Sequence, residues 1–357
     1  MSKSYNVIGL MSGTSLDGLD LAFCKFEKIN QKWQYEIECA ETISYNNKWE
    51  NRLRKLPDSS GIDIIKTHVD YGHYIGSKTL DFINRNNLSP DFISSHGHTV
   101  FHQPENNFTF QCGSGAAISA ETLLPVVCDF RSMDVALGGQ GAPLVPIGDE
   151  LLFNDFDFCL NLGGFANISY NNKKKRIAFD VCPVNIVLNH LAELLGMKFD
   201  PKGDYARKGS INTELLENLN NLSFYNLIKP KSLGFEWVKA CFLPLIYNSE
   251  INIEDKLRTV TEHIAIQISR IINNHTGKKA LITGGGVHNS FLIECIASKT
   301  STQLIIPDKL MIDYKEALIF AFLGVLRMCK SFNTLKSVTG ANIDSVGGAV
   351  YYPNPEN

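Results

Sequence analysis

Short apolar runs typical of buried strands alternate along the chain with segments of helical periodicity. Apolar runs at Val7–Leu10 and Leu19–Phe26 flank a turn rich in Gly, Ser, Thr and Asp, which predicts a β-hairpin. The run Phe156–Leu162 and the returning segment "KKKRIAFD" repeat this pattern around the turn "GGFAN". Because these strands are interleaved with helical segments, the sequence predicts an α/β fold.

Apolar residues at helical spacing predict four helices, at Ile62–Asn84, Val184–Leu195, Asp255–Asn274 and Leu318–Met328. In the first helix we expect Ile65, Val69, Ile75 and Leu80 to lie near one apolar face. Gly196 is placed to end the second helix as a C-cap glycine. The segment "DFISSHGHTVFH" is expected to be a short strand that gives way to a polar loop at Ser95.

The recurrence of the strand–turn–strand unit predicts two related α/β domains, and a length of 357 residues is ordinary for two domains. The Gly- and Pro-rich stretch "LGGQGAPLVP" is the expected crossing between them. We therefore predict domains 1–135 and 136–357, with the last segment, 340–357, packing back on the first domain. The glycine turns of the two domains are expected to line a deep cleft between them.

Composition excludes several classes of protein. The chain has 34 basic and 37 acidic residues, so it has no positive excess for binding a nucleic-acid backbone. The longest apolar run, Ala317–Leu326, is half of the roughly 20 residues that span a bilayer, and the N-terminal apolar stretch is too short for a signal peptide. None of the nine cysteines forms a C-x-x-C pair. These features favour a reduced cytoplasm and no membrane or nucleic-acid partner.

The first candidate site is the turn "GTSLDGLD", which comprises Gly13, Thr14, Ser15, Leu16, Asp17, Gly18, Leu19 and Asp20. Its glycines let the backbone approach a ligand closely, and its N–H groups can form a nest for an anion. Asp17 and Asp20 would repel a phosphate directly, so they predict a Mg²⁺ ion, or its water shell, between carboxylate and phosphate. A plain β-turn in which Ser and Asp satisfy their own backbone would explain the same residues.

Two further glycine turns also follow apolar strands. They contain Gly163, Gly164 and Asn167 in "NLGGFANIS", and Gly284, Gly285, Gly286 and Asn289 in "TGGGVHN". Two hairpin phosphate loops and a glycine-rich adenosine loop resemble the layout of the actin, Hsp70 and sugar kinase superfamily. That resemblance implies two actin-like (ribonuclease H-like) domains with ATP bound by the turns.

Six motifs carry a closer resemblance: "GLMSGTSLDGLD", "SHGHT", "DFRSMDVALGGQGAPLVP", "NLGGFANIS", "ITGGGVHN" and "DYKEALIFAFLG". Together they resemble the anhydro-N-acetylmuramic acid kinase family over nearly the whole chain. The resemblance implies a kinase of cell-wall recycling that converts 1,6-anhydro-N-acetylmuramic acid, ATP and water into N-acetylmuramic acid 6-phosphate and ADP. Members of the family are often dimers, so it also raises a homodimer as an expectation.

The resemblance assigns roles to individual side chains. Asp180 in "FDVCPVN" takes the place of the carboxylate that accepts a proton from the attacking water. Arg131 suits the lactyl carboxylate of the sugar, with Asp129 or Asp134 expected to hold it by a salt bridge, and Glu316 takes the place of an acid that contacts the sugar. Each has a structural alternative. Asp180 and Glu316 could instead stabilise helix N-termini, and Arg131 could form an ordinary ion pair.

The motif "SHGHTVFH" falls at the sugar pocket by the same resemblance, which makes His96 and Thr99 candidate substrate contacts, with His98 in place of a usual glutamine. The H-x-H spacing would place both rings on one side of a strand, as zinc ligands require. No Asp, Glu or Cys cluster nearby completes a zinc site. A zinc hydrolase is therefore the weaker hypothesis.

The chain departs from the family pattern at Val181, Cys182, Val184 and Phe235. The first three are bulkier than the residues usual beside the catalytic Asp, so they are expected to reshape the sugar pocket. Phe235 stands where an arginine is usual. These departures keep open a kinase for another amino sugar. A second alternative is a nucleotide-gated sugar-binding protein that has lost catalysis, although the presence of Asp17, Asp20 and Asp180 argues against it.

Overall fold

The computed structural model describes residues 3–13, 16–173, 175–227 and 231–354. Strands are β1 Ser4–Ser12, β2 Leu19–Ile29, β3 Lys32–Ile43, β4 Phe92–Gln103, β5 Phe108–Cys112, β6 Val126–Cys128, β7 Phe158–Leu162, β8 Phe165–Asn172, β9 Lys175–Pro183, β10 Lys279–Thr283, β11 Gln303–Ile305 and β12 Ala349–Tyr351.

The helices are α1 Asn47–Lys55, α2 Gly61–Asn86, α3 Gly115–Thr122, α4 Ser132–Ala136, α5 Val145–Leu152, α6 Asn185–Glu193, α7 Asp204–Lys208, α8 Thr213–Asn220, α9 Phe235–Trp237, α10 Leu243–Asn248, α11 Ile253–Asn273, α12 Ser290–Ala297, α13 Lys309–Met328 and α14 Lys336–Thr339. Within the described residues, no helix is long and apolar enough to cross a membrane.

The chain packs into two compact units, one formed by Met1–Leu152 with Tyr314–Asn357 and the other by Phe153–Asp313. This division differs from the predicted boundary at residue 135. Helix α5 contacts β3, and β12 pairs with β6, so both belong to the first unit. Tyr314, at φ −118° and ψ 15°, interrupts the helical geometry of α13 where the chain returns to that unit.

Five strands of the first sheet have the same order as the five strands of the second. The first sheet runs β12-β6-β4-β1-β2-β3, with β5 paired to β4, and the second runs β11-β10-β7-β8-β9. In each, the first three strands of the unit form an antiparallel meander, and two more strands add in parallel on the other side of the first strand: β4 and β6 in the first sheet, β10 and β11 in the second. Strands β5 and β12 add antiparallel to the first sheet only. This is the arrangement of a ribonuclease H-like, or actin-like, domain. It confirms the predicted α/β fold class.

Helix α13 lies in direct contact with the central strands of the first unit. Residues 317–323 are almost fully buried, as expected for a helix that is apolar all round. A Cβ on Gly9 of β1 would lie 2.0 Å from the carbonyl oxygen of Ala317, and one on Gly324 would lie 2.6 Å from Ser94 Oγ of β4. Only glycine permits these two close approaches.

The first predicted hairpin comprises β1 and β2, the first two strands of a longer meander. The second predicted hairpin is wrong in part, because β8 begins within the predicted turn "GGFAN" and lies between β7 and the returning segment, β9. Strands β3 and β8 were not predicted as separate elements, although β3 alternates half-buried Trp33, Tyr35 and Ile37 with exposed polar residues. The predicted polar loop at Ser95 is wrong, because β4 continues to Gln103 and pairs with β5.

The predicted helices at α2, α6 and α11 are confirmed with small shifts of their ends. The predicted helix Leu318–Met328 has the correct end, but α13 begins nine residues earlier, at Lys309. Gly196, at φ +76°, follows α6 closely, as expected for a C-cap glycine. The predicted apolar face of α2 is wrong in part. Ile65 and Val69 are exposed, whereas the buried side includes Tyr71 and Phe82, because α2 packs on α3 along another stripe.

A buried ion pair joins α5 to α13 in the first unit. Lys315 Nζ lies 2.7 Å from Asp149 Oδ1, and both side chains are almost completely buried. Lys315→Met should lower the free energy of unfolding by about 3–5 kcal/mol, because it leaves the Asp149 carboxylate buried without this cation. Lys78→Met, which breaks an exposed pair with Asp81 at 3.6 Å, should change it by about 1 kcal/mol or less. Chemical denaturation measures both, and equal losses would contradict this prediction.

A buried hydrogen-bond network surrounds His263 in the second unit. Its Nε2 lies 2.7 Å from the hydroxyl of Tyr225 and its Nδ1 lies 2.8 Å from Asn220 Oδ1, which also accepts from Gln267. Burial lowers the pKa of His263 to about 3. The unfolded chain binds a proton at this residue below about pH 6.5, whereas the folded chain stays neutral there until about pH 3.

Stability should therefore fall as the pH is lowered from about 6.5 towards 3, by at most roughly 1.4 kcal/mol per pH unit for this group. His263→Gln cannot titrate, so its free energy of unfolding should fall less than that of the parent between pH 7 and pH 5. Urea denaturation at both pH values measures the difference. Parallel losses in parent and variant would show that His263 does not carry this dependence.

Candidate active site

The first glycine turn joins β1 to β2. Thr14 and Ser15 lie outside the described residues. Leu16 is in the left-handed region at φ +60°, and its N–H donates to the carbonyl of Gly13 at 3.3 Å. The side chains of Leu16 and Leu19 are buried in the core of the first unit, so only their backbone groups are available to a ligand.

Two carboxylates of this turn differ in their surroundings. Asp17 is exposed, whereas Asp20 is half-buried on β2 and its Oδ1 accepts from the hydroxyl of Thr42 at 2.6 Å. Two carboxylates, one of them accessible, fit Mg²⁺, which usually keeps several waters and takes few protein ligands. No group of three or more His, Cys, Asp or Glu side chains that could hold a metal ion occurs in the described residues, this turn included.

The second and third glycine turns lie side by side in the second unit. They follow the parallel strands β7 and β10, in which Asn161 pairs with Thr283. Gly284 has φ +84°, and a Cβ there would lie 2.4 Å from Asn161 Oδ1. Asn161 thus lies between the turn at Gly163 and Gly164 and the turn at 284–286, a position that sequence reasoning missed although this residue stands only two positions before Gly163.

Two other asparagines hold this edge of the sheet. Asn289 is almost buried, and its Oδ1 accepts from the N–H of Leu292, so it caps the N-terminus of α12. Asn185 donates to the carbonyl of Leu162 at 3.2 Å, and its amide nitrogen would lie 3.5 Å from a Cβ on Gly286. Asn185 is a second residue of this edge that the sequence analysis did not assign to the site.

Asp180 lies on β9, directly opposite Asn167 on β8, which in turn pairs with Asn161 on β7. Directly paired residues point to the same face of a sheet, so these three polar side chains form a row. The helix-cap alternative is wrong, because α6 begins five residues later and its N-cap, Val184, uses no side chain.

The carboxylate of Asp180 is held by a neighbouring loop. Its Oδ2 accepts from the N–H of Leu233 at 2.8 Å, while its own N–H donates to the carbonyl of Lys231. Burial raises its pKa, and the bond from Leu233 opposes that rise. Oδ1 has no hydrogen-bond partner in the described part of the chain. A half-buried carboxylate with a raised pKa and an available oxygen has the properties of a general base.

The expectation that Val181, Cys182 and Val184 reshape the sugar pocket is wrong. Their side chains are at most 1% exposed and belong to the hydrophobic core of the second unit. Their extra volume is therefore accommodated in the core. Phe235 begins α9 and is 42% exposed, with Lys239 Nζ 4.6 Å from its ring centroid.

In the first unit, Arg131 bonds to a histidine and a carbonyl. Its Nε and Nη2 lie 3.0 and 2.9 Å from His96 Nε2, and its Nη1 donates to the carbonyl of Gly141 at 2.6 Å. The predicted salt bridge from Arg131 to Asp129 or Asp134 is wrong, because these hydrogen bonds hold the guanidinium instead. The Asp134 carboxylate accepts instead from the N–H of Gly141 and the hydroxyl of Thr339.

His96 is fixed as an acceptor for Arg131. Its Nδ1 lies 2.9 Å from the carbonyl of Gly97, which can only accept, so the proton sits on Nδ1 and Nε2 presents a lone pair. Burial and the nearby guanidinium hold the pKa of His96 well below its usual range. Burial also lowers the pKa of Arg131 to about 10, opposed by Glu316, so Arg131 remains a cation at neutral pH.

Glu316 lies on α13, near Arg131 and Asp20. Its side chain is exposed, but the surrounding protein displaces enough water to raise its pKa; Arg131 opposes this rise and Asp20 adds to it. The structure thus brings one cation and two acids together in the first unit. Thr99 is half-buried on β4, opposite Gln111 of β5.

The two histidines of "SHGH" do not form a metal site. His96 bonds to Arg131, whereas His98 bonds through Nδ1 to Ser12 at 3.1 Å. Gly97 between them has φ +73°, which breaks the regular alternation of the strand. The predicted pairing of both rings for zinc therefore finds no support in their geometry.

Comparisons with known proteins bear on what this arrangement does. A family model described as anhydro-N-acetylmuramic acid kinase matches residues 5–353. The chain is 34% identical over 363 residues to the anhydro-N-acetylmuramic acid kinase of Clostridioides difficile (strain 630), covering 94% of this chain and 95% of that protein. It is 32% identical over 382 residues to the enzyme of the same name from Francisella tularensis subsp. novicida (strain U112), covering 99% and 100%. The chain belongs to the anhydro-N-acetylmuramic acid kinase family.

Proposed function

We propose that this kinase opens the anhydro bridge of 1,6-anhydro-N-acetylmuramic acid with water and transfers the γ-phosphate of ATP to O6, giving N-acetylmuramic acid 6-phosphate and ADP for peptidoglycan recycling. The observation that carries the proposal is the Asp180 carboxylate. It has a raised pKa, one oxygen held by the N–H of Leu233 and the other available to a ligand. Membership of the kinase family supplies the reaction class.

In this reaction, Asp180 accepts a proton from water as the water oxygen bonds to C1 of the sugar. The C1–O6 bond breaks, O6 bonds to the γ-phosphorus, and the bond between that phosphorus and the departing ADP breaks. A base is needed because neutral water is a poor nucleophile at neutral pH. A raised pKa favours the transfer, since the proton affinity of the base then lies closer to the working pH.

Arg131 is proposed to bind the lactyl carboxylate of the sugar. A guanidinium has five N–H groups, of which His96 and the carbonyl of Gly141 take three. Nη1 and Nη2 each retain one N–H, and these two can form a fork for a carboxylate. His96 thus acts by orienting Arg131, while Thr99 and Glu316 are proposed to contact the sugar.

The three glycine turns are proposed to bind ATP through their backbone N–H groups. The assigned residues are Gly13, Thr14, Ser15, Leu16, Gly18 and Leu19 in the first turn, Gly163, Gly164 and Asn167 in the second, and Gly284, Gly285, Gly286 and Asn289 in the third. Asp17 and Asp20 would hold Mg²⁺, directly or through water, and the ion would neutralise charge on the phosphates.

The proposal includes a cytoplasmic location, which the scattered cysteines without a C-x-x-C pair favour, and a homodimer, which the family resemblance implies. The alternative substrate, another amino sugar, loses its main support because Val181, Cys182 and Val184 lie in the core. Phe235 alone keeps that alternative open. An inactive binding protein would not need a carboxylate with the properties of Asp180.

Asp180→Asn should lower kcat by at least about a hundredfold, because a general base contributes roughly 10²–10⁴-fold and an amide cannot accept the proton. Activity of the parent should also fall on the acid side, at a higher pH than for an ordinary aspartate, since its raised pKa must be exceeded for the base to be ionised. Steady-state kinetics from pH 5 to 8 measure both effects.

Asp157→Asn, at a carboxylate that only accepts backbone N–H bonds of Lys278 and Lys279, is the matched control. Near-parental kcat in a folded Asp180→Asn protein would overturn the assignment.

Asp17→Asn and Asp20→Asn should each raise the Mg²⁺ concentration for half-maximal rate by roughly 10–100-fold, the usual cost of losing one supporting group of a metal. An amide at position 20 keeps the acceptor for Thr42, so the turn should still fold. Titration of activity with Mg²⁺, with Asp81→Asn as an exposed control, measures the shift. Lower stability with an unchanged Mg²⁺ requirement would show that the two residues are purely structural.

A further inference from the structure

A chain of hydroxyl groups in the first unit ends on His98. The hydroxyls of Tyr71 and Tyr45 lie 2.5 Å apart, Tyr45 donates to Ser12 Oγ at 2.8 Å, and Ser12 Oγ lies 3.1 Å from His98 Nδ1. Tyr71, Ser12 and His98 are buried, and His98 is only 5% exposed. The chain links helix α2 to strands β1 and β4.

The direction of these hydrogen bonds follows from counting protons. Tyr45 has one hydroxyl proton and donates it to Ser12, so the proton between the two tyrosines comes from Tyr71. Ser12 then accepts from Tyr45 and has its own proton left to donate. His98 Nδ1 is the acceptor within reach, and leaving a buried hydroxyl proton without an acceptor would cost free energy.

This direction fixes the tautomer of His98. Since Nδ1 accepts, the ring proton sits on Nε2, which makes no hydrogen bond with any described residue. Burial lowers the pKa of His98 to about 4, so the ring is neutral at physiological pH. His98 also lies opposite Ser12 across β1 and β4, and Ser12 directly precedes Gly13 of the first glycine turn. An uncharged donor is therefore held in place beside the proposed ligand site.

We propose that His98 determines specificity by donating a hydrogen bond from Nε2 to an acceptor oxygen of a bound ligand, and that Tyr71, Tyr45 and Ser12 are positioning residues that fix its tautomer. The inference rests on the proposed function for the identity of the ligand. The acceptor oxygen belongs either to the amino sugar or to the phosphates of the nucleotide, and the two are separated experimentally.

The tautomer is tested without any ligand. Two-bond ¹⁵N–¹H correlation spectra of the full chain labelled with ¹⁵N-histidine should show His98 protonated at Nε2 at pH 7, with His98→Gln used to assign its signals. Ser12→Ala removes the donor to Nδ1, so the spectrum should change to a mixture of tautomers. A parent ring protonated at Nδ1, or an unchanged tautomer in Ser12→Ala, would overturn the positioning chain.

The ligand contact is tested by adding each substrate separately to the labelled protein. We expect the Nε2 signal of His98 to shift with the sugar alone or with a non-hydrolysable ATP analogue alone. The ligand that causes the shift is the one that carries the acceptor oxygen. If neither ligand, nor both together, moves this signal while other histidine signals respond, the contact is wrong. This readout needs no turnover, so it stands apart from failure of the proposed function, which would appear as absence of product from the parent.

Steady-state kinetics of two substitutions at His98 provide a third test. His98→Leu removes both hydrogen bonds and should raise KM for the identified substrate by roughly three- to a hundredfold, depending on whether the acceptor is neutral or charged. His98→Gln can accept from Ser12 through Oε1 and donate through Nε2, so it should recover most of the loss. Melting temperatures of both variants control for folding. Equal KM values for the parent and a folded His98→Leu would overturn the proposal.

Discussion

The packing of helix α13 on the sheet of the first unit requires glycine, which has no Cβ atom, at positions 9 and 324. Helix α13 approaches β1 so closely that any side chain at Gly9 would collide with the backbone of Ala317, and Gly324 lets the helix approach Ser94 of β4 in the same way. The hydroxyl of Ser94 also donates to the carbonyl of Phe320 at 2.5 Å. This contact places the part of α13 that follows Asp313, and with it Glu316, in the unit that contains Arg131. It also explains why the chain returns to the first unit after residue 313.

The site in that unit shows how a cation is kept available to a ligand. A carboxylate paired directly with Arg131 would neutralise its charge and occupy its fork. The structure uses neutral acceptors instead, His96 Nε2 and the carbonyl of Gly141, which orient the guanidinium. Glu316 and Asp134 favour its charged form without hydrogen bonding to it among the described residues. The half-buried site lowers the pKa of Arg131 only to about 10. Full charge at neutral pH is what recognition of an anionic substrate group requires.

Much of the fold could be predicted because its signals are local. The helices follow from apolar spacing, and the glycine turns from residues that tolerate unusual backbone angles.

The errors in the sequence-based predictions have physical causes. The buried side of α2 contains Thr67, Gly72 and Thr79, which carry little hydrophobic signal, while the apolar Ile65 is exposed. Sequence could not show that Cys182 faces the core, because a strand buried on both faces has no alternation to read. Nor could it show that Asn161 joins two glycine turns, since their adjacency arises from the parallel pairing of β7 with β10.

The motif "SHGH" shows that two identical residues two positions apart can hold opposite roles. At His96 the carbonyl of Gly97 fixes the proton on Nδ1, so Nε2 accepts from Arg131. At His98 the hydroxyl of Ser12 fixes the lone pair on Nδ1, so Nε2 donates. Low pKa values keep both rings uncharged, and in that state each nitrogen has a single role. The group bonded to Nδ1 therefore decides what Nε2 can do. His96 therefore accepts a hydrogen bond from Arg131, whereas His98 can donate one to an oxygen atom of a bound ligand.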